Sequence, residues 1–250
     1  MTDSDKEKDI KLESLREWIS EEGWVDYAGL AKAPDILERN VVAVGEAKVD
    51  ASLARPYQLA FWMNAYNILC TWGTLQCIRK KKGFDGQLGL MDKFSFFFSD
   101  KYLVAGQKMT LYALEGNIIR KEFGDPRIHF CINCSSFSCP RLRRDLFTGG
   151  DLDMQMDECT YAFVNLHNGV RVSFGQSLTE RRLVLSSIFK WYTDDFRNWD
   201  PPAGLADRVD RIHSYAACEG RVQRWMVGFG TVRTKERAVP SFDELERLGE

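Results

Sequence analysis

The sequence predicts an α+β fold in which a central buried helix packs on a small, mostly antiparallel sheet and further helices surround both. Residues 56–83 are apolar nearly all round, begin with proline and end in lysines, which is typical of a buried helix. Residues 127–133 alternate apolar and polar side chains, which is typical of a strand. Leucine and isoleucine recur at helical spacing within residues 110–123, which predicts one of the surrounding helices.

The composition is that of a soluble globular protein. With 250 residues, 44% of them hydrophobic and 28% charged, the chain is long enough to bury a sizeable core. The net charge of −2 gives no overall basic field, so we expect no nucleic-acid partner. An acidic amino terminus and the lack of a long apolar run predict a cytoplasmic chain without membrane insertion. Seven cysteines, an odd number, fit reduced thiols better than a disulfide framework.

We divide the chain into four regions. Residues 1–10 are predicted to be disordered because of their charge, and residues 11–55 to be a helical amino-terminal extension that docks Leu12, Leu15, Trp18 and Ile19. Residues 56–228 form the main domain, and residues 229–250 a polar tail.

The central helix carries two asparagines, Asn64 and Asn67, at positions i and i+3 and therefore on one side. A buried amide without a hydrogen bond costs about 1–3 kcal/mol. The two amides either bridge irregular backbone of a neighbouring loop, or orient a catalytic group and donate to an oxyanion.

Further elements follow the central helix. Residues 93–104 are interpreted as a hairpin around Ser99 and Asp100, with another turn at Gly106. The helix at 110–123 has Thr110 as its cap and Gly124 as its stop, and spacing alone favours a surface pair for its Glu115 and Arg120. After the cysteine-rich stretch, the pattern predicts a helix at 151–166, a hairpin of residues 170–174 and 182–185, a helix at 186–196, and helical segments at 205–226.

Residues 125–142 concentrate the reactive side chains, since three of the seven cysteines and one of the three histidines fall there. A strand at 127–133 is followed by the small-residue loop from Cys134 to Cys139, and Pro140 suits the start of a helix that runs to Leu146. Cys139 would then face a helix amino terminus, which favours the thiolate. The cysteines could equally be inert, bridged, or a metal half-site, and metal is the weakest option because zinc needs about four ligands.

Four blocks of the sequence resemble, in order, signature blocks of the domain-of-unknown-function family DUF547. The blocks are FWMNAYN, LYALEGNIIR, DPRIHFCINCSSFSCPRL and SSIFKWYTDDF. The resemblance implies family positions at Asn64, Tyr66, Asn67, Glu115, Arg120, Asp125, Arg127, His129, Asn133, Cys134, Ser136, Cys139, Pro140, Trp191 and Asp195. Because the family's name states no function, the resemblance implies a domain more than an activity.

The chain departs from the family pattern at Gly116, where the family has a histidine directly after the glutamate of its second block. If that histidine is a catalytic base, the chain relies on His129 or has lost activity. We therefore predict that any hydrolase activity is weak and that Gly116→His raises it. The closing Tyr-Asp-Trp-Ser-Leu-Asn run of the family is not visible either.

Three functions are compatible with these residues. The first is a cysteine hydrolase or acyl transferase acting on amide or ester bonds, in which Cys139 or Cys134 attacks, His129 moves the proton, and Asn64, Asn67 or Asp195 orients the imidazole. The second is a non-catalytic interaction or scaffold module. The third is a redox element in which Cys134 and Cys139 form a reversible disulfide, favoured if their Cα atoms lie within about 7 Å.

No cofactor or metal is implied, and the partner would be an unknown protein or small-molecule substrate. The candidate residues that support the site are Glu115, Arg120, Asp125, Arg127, Asn133, Ser136 and Asp195. Two spatial predictions follow. Asn64 and Asn67 should lie beside the Cys134–Cys139 loop and bond to its backbone, and Arg127 should be buried against a carboxylate, with Glu115 or Asp195 as the leading partners.

Overall fold

The computed structural model describes residues 9–80, 95–135, 139–166, 170–174 and 181–197. The chain divides into two compact units, one of Met1–Gly124 with Phe130–Met156, the other of Asp125–His129 with Asp157–Glu250. Each contains a two-stranded antiparallel sheet among helices, so the predicted α+β class is confirmed. Within the described residues, no helix combines the length and the apolar character that crossing a membrane requires.

The first unit is mainly helical. A 3₁₀ turn lies at Arg16–Trp18 and a π-helical turn at Ser95–Ser99. Its helices and strands are α1 (Tyr27–Lys32), α2 (Asp35–Glu46), α3 (Arg55–Lys80), β1 (Tyr102–Val104), β2 (Gln107–Met109) and α4, which consists of Leu111–Ala113, a π-helical Leu114–Arg120 and Lys121–Phe123. Helix α3 is buried on nearly all sides, as the sequence predicts.

Two further elements belong in part to each unit. They are the 3₁₀ helix Pro126–Phe130 and helix α5 (Leu152–Tyr161). The second unit then contains a π-helical turn Ala162–Leu166, strands β3 (Val170–Phe174) and β4 (Arg181–Leu185), and helices α6 (Ser187–Trp191) and α7 (Thr193–Arg197). The hairpin of β3 and β4 and the capping of α6 by Ser186 confirm the predictions for this part of the chain.

The turns of the first unit confirm one prediction and correct another. Thr110 caps α4 by accepting from the Ala113 N–H, and Gly124 ends it with φ +67°, as predicted. The hairpin predicted around Ser99 and Asp100 is wrong, because the Asp100 N–H donates to the Ser95 carbonyl and closes a helical turn. The β1–β2 hairpin instead turns at Ala105 and Gly106, both at positive φ.

The strand predicted at residues 127–133 is wrong, because a 3₁₀ helix occupies Pro126–Phe130. Asp125 is the cause: its carboxylate accepts from the Arg127 N–H at 2.9 Å and its carbonyl accepts from the Ile128 N–H at 3.1 Å. Alternation also fails as a signal here, since consecutive residues from Arg127 to Ile132 are all buried.

The helix predicted from Pro140 to Leu146 is also wrong, because this stretch is irregular. Its backbone groups bond to other segments instead of to each other. The Leu142 N–H donates to the Gly23 carbonyl, and the Phe147 N–H donates to the Asn64 side chain. Cys139 therefore does not precede a helix amino terminus, and the predicted stabilisation of its thiolate by a helix dipole is wrong.

The amino-terminal extension is less helical near its start than the spacing predicts, since the stretch from Leu12 to Ile19 contains one 3₁₀ turn, although Leu15 and Ile19 are buried. Several predictions fall outside the described residues. They concern residues 1–8, Ser136, the helical segments at 205–226 and the tail at 229–250.

Candidate functional site

Asn67 holds the segment that leads into the cysteine loop. Its side-chain N–H donates to the Cys131 carbonyl at 3.0 Å, and its oxygen accepts from the Asn133 N–H at 2.9 Å. Because Asn67 is buried in α3, these bonds hold the irregular backbone of Cys131 and Asn133 against that helix. The backbone that Asn67 holds therefore ends at Asn133, one residue before Cys134.

Asn64 makes the same two bonds to a different segment. It donates to the Phe147 carbonyl at 2.8 Å and accepts from the Phe147 N–H at 2.9 Å. A cavity of about 20 Å³ lies beside both asparagines, bounded by residues 142–147 and by Leu15 and Ile19. That volume has room for about one water molecule. Asn67 thus lies beside the loop, as predicted, whereas Asn64 binds the chain beyond it.

Cys134 and Cys139 form a disulfide, with their Cα atoms 6.1 Å apart. The expectation of reduced thiols is therefore wrong for these two residues. Both are partly exposed. Their spacing meets the condition under which the sequence favours a redox element, and in the bridged form neither sulfur is a nucleophilic thiolate.

Asn133 braces the two ends of this loop. Its side-chain N–H donates to the Pro140 carbonyl at 2.6 Å, and its oxygen accepts from the Ser135 N–H at 2.6 Å. Since Asn133 and Pro140 flank the two cysteines, one side chain connects the chain on both sides of the disulfide.

Ser135 anchors the loop to a cluster of hydroxyl groups and a thiol. Its hydroxyl accepts from Thr74 at 2.7 Å and lies 3.2 Å from the Tyr27 hydroxyl and 3.4 Å from the Cys70 sulfur. Burial raises the pKa of Tyr27 and that of Cys70, each to about 12. Ser135 has φ +56°, which an L-residue adopts only when its surroundings hold it there.

Glu115 and Gly116 lie on the π-helical part of α4. The Tyr66 hydroxyl donates to the Glu115 carboxylate at 3.0 Å, so this glutamate contacts α3 and is not a simple surface residue. Arg120, at the end of the same segment, is half-buried. A Cβ built on Gly116 meets no atom within 4 Å, so there is space for a side chain.

Arg127 lies between two carboxylates in the second unit. Its guanidinium binds Asp125 through two nitrogens and Asp157 at 2.6 Å, and its side chain is only 5% exposed. The predicted burial of Arg127 and its pairing with a carboxylate are confirmed, and Asp125 and Asp157 are the partners described here. Glu115 accepts from Tyr66, and Asp195 binds a histidine.

That histidine is His129, whose Nε2 lies 2.7 Å from the Asp195 carboxylate. The imidazole is buried and stacks on the Tyr192 ring at 3.7 Å, with Phe196 nearby. The predicted reach of Asp195 to His129 is confirmed. In the tautomer that donates Nε2–H to a carboxylate, the imidazole lone pair is on Nδ1.

Sequence reasoning missed several residues of these clusters, among them Asp157, Ser135, Tyr27 and Cys131. A usable signal existed for two of them. Asp157 is an acidic residue among the buried side chains of α5, and a charge in such a position needs a partner. Cys131 and Cys134 have the CxxC spacing, but Cys134 pairs with Cys139 and Cys131 is a buried thiol.

Residues 51–164 match a family described as "Protein of unknown function, DUF547". The match confirms the resemblance predicted from the sequence. It contains the first three signature blocks, while the fourth, with Asp195, lies beyond it. The curated proteins and the solved structures yield no match to this chain.

Proposed function

We propose that the Cys134–Cys139 loop is a thiol–disulfide redox element carried by a DUF547 domain. The observation that supports the proposal is the disulfide itself, which joins two partly exposed cysteines across a six-residue loop. Closing so short a loop stabilises a protein by only about 2 kcal/mol in the chain-entropy model. A bridge that contributes this little can open without unfolding the domain.

The reaction is exchange with a dithiol, either a small molecule or another protein. A thiolate of the dithiol attacks one of the two sulfurs, the S–S bond breaks, and the released sulfur takes up a proton. The second thiol of the partner then attacks the mixed disulfide and leaves with the first as an oxidised disulfide. Two electrons and two protons pass to Cys134 and Cys139, and a disulfide oxidant reverses the reaction.

A neighbouring thiol, Cys70, does not compete in this exchange. Burial raises its pKa to about 12, so the nucleophilic thiolate is almost absent at neutral pH. Cys131 and Cys159 are buried as well. Cys77 is partly exposed, so access favours the bridged pair over Cys70, Cys131 and Cys159 but not over Cys77.

The test is a redox titration of the native chain with reduced and oxidised dithiothreitol, followed by alkylation and peptide mapping. We expect Cys134 and Cys139 to become alkylated together, at one midpoint, while Cys70 stays protected. Cys134→Ala is the matched control, because it leaves Cys139 without its partner and should abolish the midpoint. A bridge that resists excess dithiol in the folded chain would exclude the proposal.

The cysteine hydrolase or acyl transferase is the second candidate, and the bond between His129 and Asp195 favours it. A carboxylate fixes the orientation of an imidazole and stabilises its protonated form, as general acid–base catalysis requires. In this version Cys139 or Cys134 acts as the nucleophile after reduction.

This second candidate predicts weak turnover of a peptide, ester or amide under reducing conditions. Gly116→His should raise the rate by about 10²–10⁴-fold if the family histidine is a general base, and the open space at Gly116 accommodates it. Cys134→Ala and Cys139→Ala identify the nucleophile. Turnover that survives both cysteine changes would exclude a thiol mechanism, and a lack of turnover in every variant would favour a scaffold role.

A further inference from the structure

We propose that Asn133 is a positioning residue for the redox pair and that its side chain sets the stability of the Cys134–Cys139 disulfide. The inference rests on the redox function proposed above. It adds a residue that contains no sulfur yet controls how readily the pair is reduced.

Asn133 connects the two ends of the loop that the disulfide closes. It lies directly before Cys134, and the carbonyl to which it donates, at 2.6 Å, belongs to Pro140, directly after Cys139. The side chain therefore connects the same two chain ends as the disulfide. The second bond, which the Ser135 N–H donates to the Asn133 side chain, closes a tight turn through Cys134 and so fixes the backbone of that cysteine.

These bonds do not depend on the disulfide. Neither involves sulfur, so both can persist when the bridge opens and the two thiols form. A brace that keeps the thiols near each other raises their effective concentration and so favours re-formation of the bond. Without the brace, the reduced loop would sample wider conformations, whereas the oxidised loop would still be held closed by its disulfide.

The backbone at Asn133 and the side chain of Ser135 are both bonded to α3, which gives the Asn133 side chain a defined position. The Asn133 N–H donates to the buried Asn67 side chain, and Ser135 bonds to Thr74 on the same helix, α3. Asn133 is half-buried and its side chain makes local bonds only. Its replacement should therefore disturb the loop more than the core.

The experiment compares the native chain with Asn133→Ala in a redox titration against dithiothreitol at pH 7. We expect the equilibrium constant for disulfide formation to fall about tenfold, which raises the reduction potential by about 30 mV for a two-electron couple. Asn40→Ala is the matched control. Asn40 also donates to and accepts from one backbone residue, Glu13, and it does not touch the loop.

The outcomes separate this inference from the function on which it rests. A reversible midpoint that is equal in the native chain and Asn133→Ala overturns the role of Asn133 alone. A bridge that does not exchange with the dithiol overturns the redox function itself. A shift of the same size in Asn40→Ala would assign the effect to general destabilisation and also overturn the inference.

A second variant covers the case in which Asn133→Ala does not fold. Asn133→Asp keeps the acceptor for the Ser135 N–H and removes the donor to the Pro140 carbonyl. At pH 7 an ordinary thiol is mostly protonated, so the added carboxylate acts weakly on the equilibrium. We expect the potential to rise here too, and an unchanged potential would overturn the brace.

Discussion

The block from Asp125 to Asn133 is held by charge at one end and by a neutral amide at the other. In the second unit, Arg127 binds the carboxylates of Asp125 and Asp157. In the first unit, Asn67 binds the backbone of Cys131 and Asn133. Both side chains are more than nine-tenths buried. Arg127 pairs with charged groups and Asn67 with neutral ones, so the loss of each side chain should change the free energy of unfolding by a different amount.

A buried charge that loses its partner destabilises the fold more than a buried neutral group that loses a hydrogen bond. Removing one member of a buried ion pair strands the other in a medium that solvates it poorly, and typically costs about 3–5 kcal/mol. A neutral backbone group that loses its partner costs about 1–3 kcal/mol. The Arg127 cluster should therefore be the more sensitive of the two.

The largest expected effect is that of Arg127→Met, which keeps the length of the side chain and removes its charge. We predict that the free energy of unfolding falls by about 3–5 kcal/mol, because the buried Asp157 carboxylate loses its ion pair with Arg127. Urea unfolding followed by circular dichroism measures the change.

Arg39→Met is the matched control, because Arg39 forms an equally short pair with Glu13 at the surface. Exposed pairs contribute about 0–1 kcal/mol, so this change should have little effect. The double variant Arg127→Met with Asp157→Leu should recover part of the loss, since it also removes the buried carboxylate that has lost this ion pair. A single-variant loss as small as that of Arg39→Met would refute the charge account.

The sequence predicts the elements that local signals define. The buried helix α3, the Thr110 cap, the Gly124 stop and the β3–β4 hairpin depend on periodicity or on one residue's backbone preference. Such information lies within a few positions of the element, so one sequence is enough to find it.

The site is less predictable because its backbone is irregular and is held by distant side chains. The pattern at residues 127–133 alternates like a strand, yet the Asp125 carboxylate turns the chain into a 3₁₀ helix. The predicted helix after Pro140 fails in the same way, because Asn64 binds the Phe147 backbone from 83 positions away. Residue types mark Asn67, His129 and Arg127 as site residues, but spacing does not identify Asp157 as a partner of Arg127.

The smaller effect in the comparison is that of Asn67→Leu, which replaces the amide with an apolar side chain of similar size and so avoids a large cavity. The Cys131 carbonyl and the Asn133 N–H each lose the hydrogen bond to Asn67, but Asn133 is half-buried and water can replace its bond, so we expect a total loss of about 1–3 kcal/mol. We expect a loss of stability and also easier reduction of the disulfide, because the loop entrance is no longer fixed. Urea unfolding and the dithiothreitol titration measure the two effects.

Asn64→Leu separates the two effects of Asn67→Leu. Asn64 makes the same pair of bonds to Phe147, so its loss should destabilise the fold to a similar extent. It does not contact the residues next to Cys134, and the reduction potential should stay at the native value. Equal shifts of potential in both variants would mean that the loop responds only to global stability. A larger loss of stability in Asn67→Leu than in Arg127→Met would reverse the ranking of amide and charge.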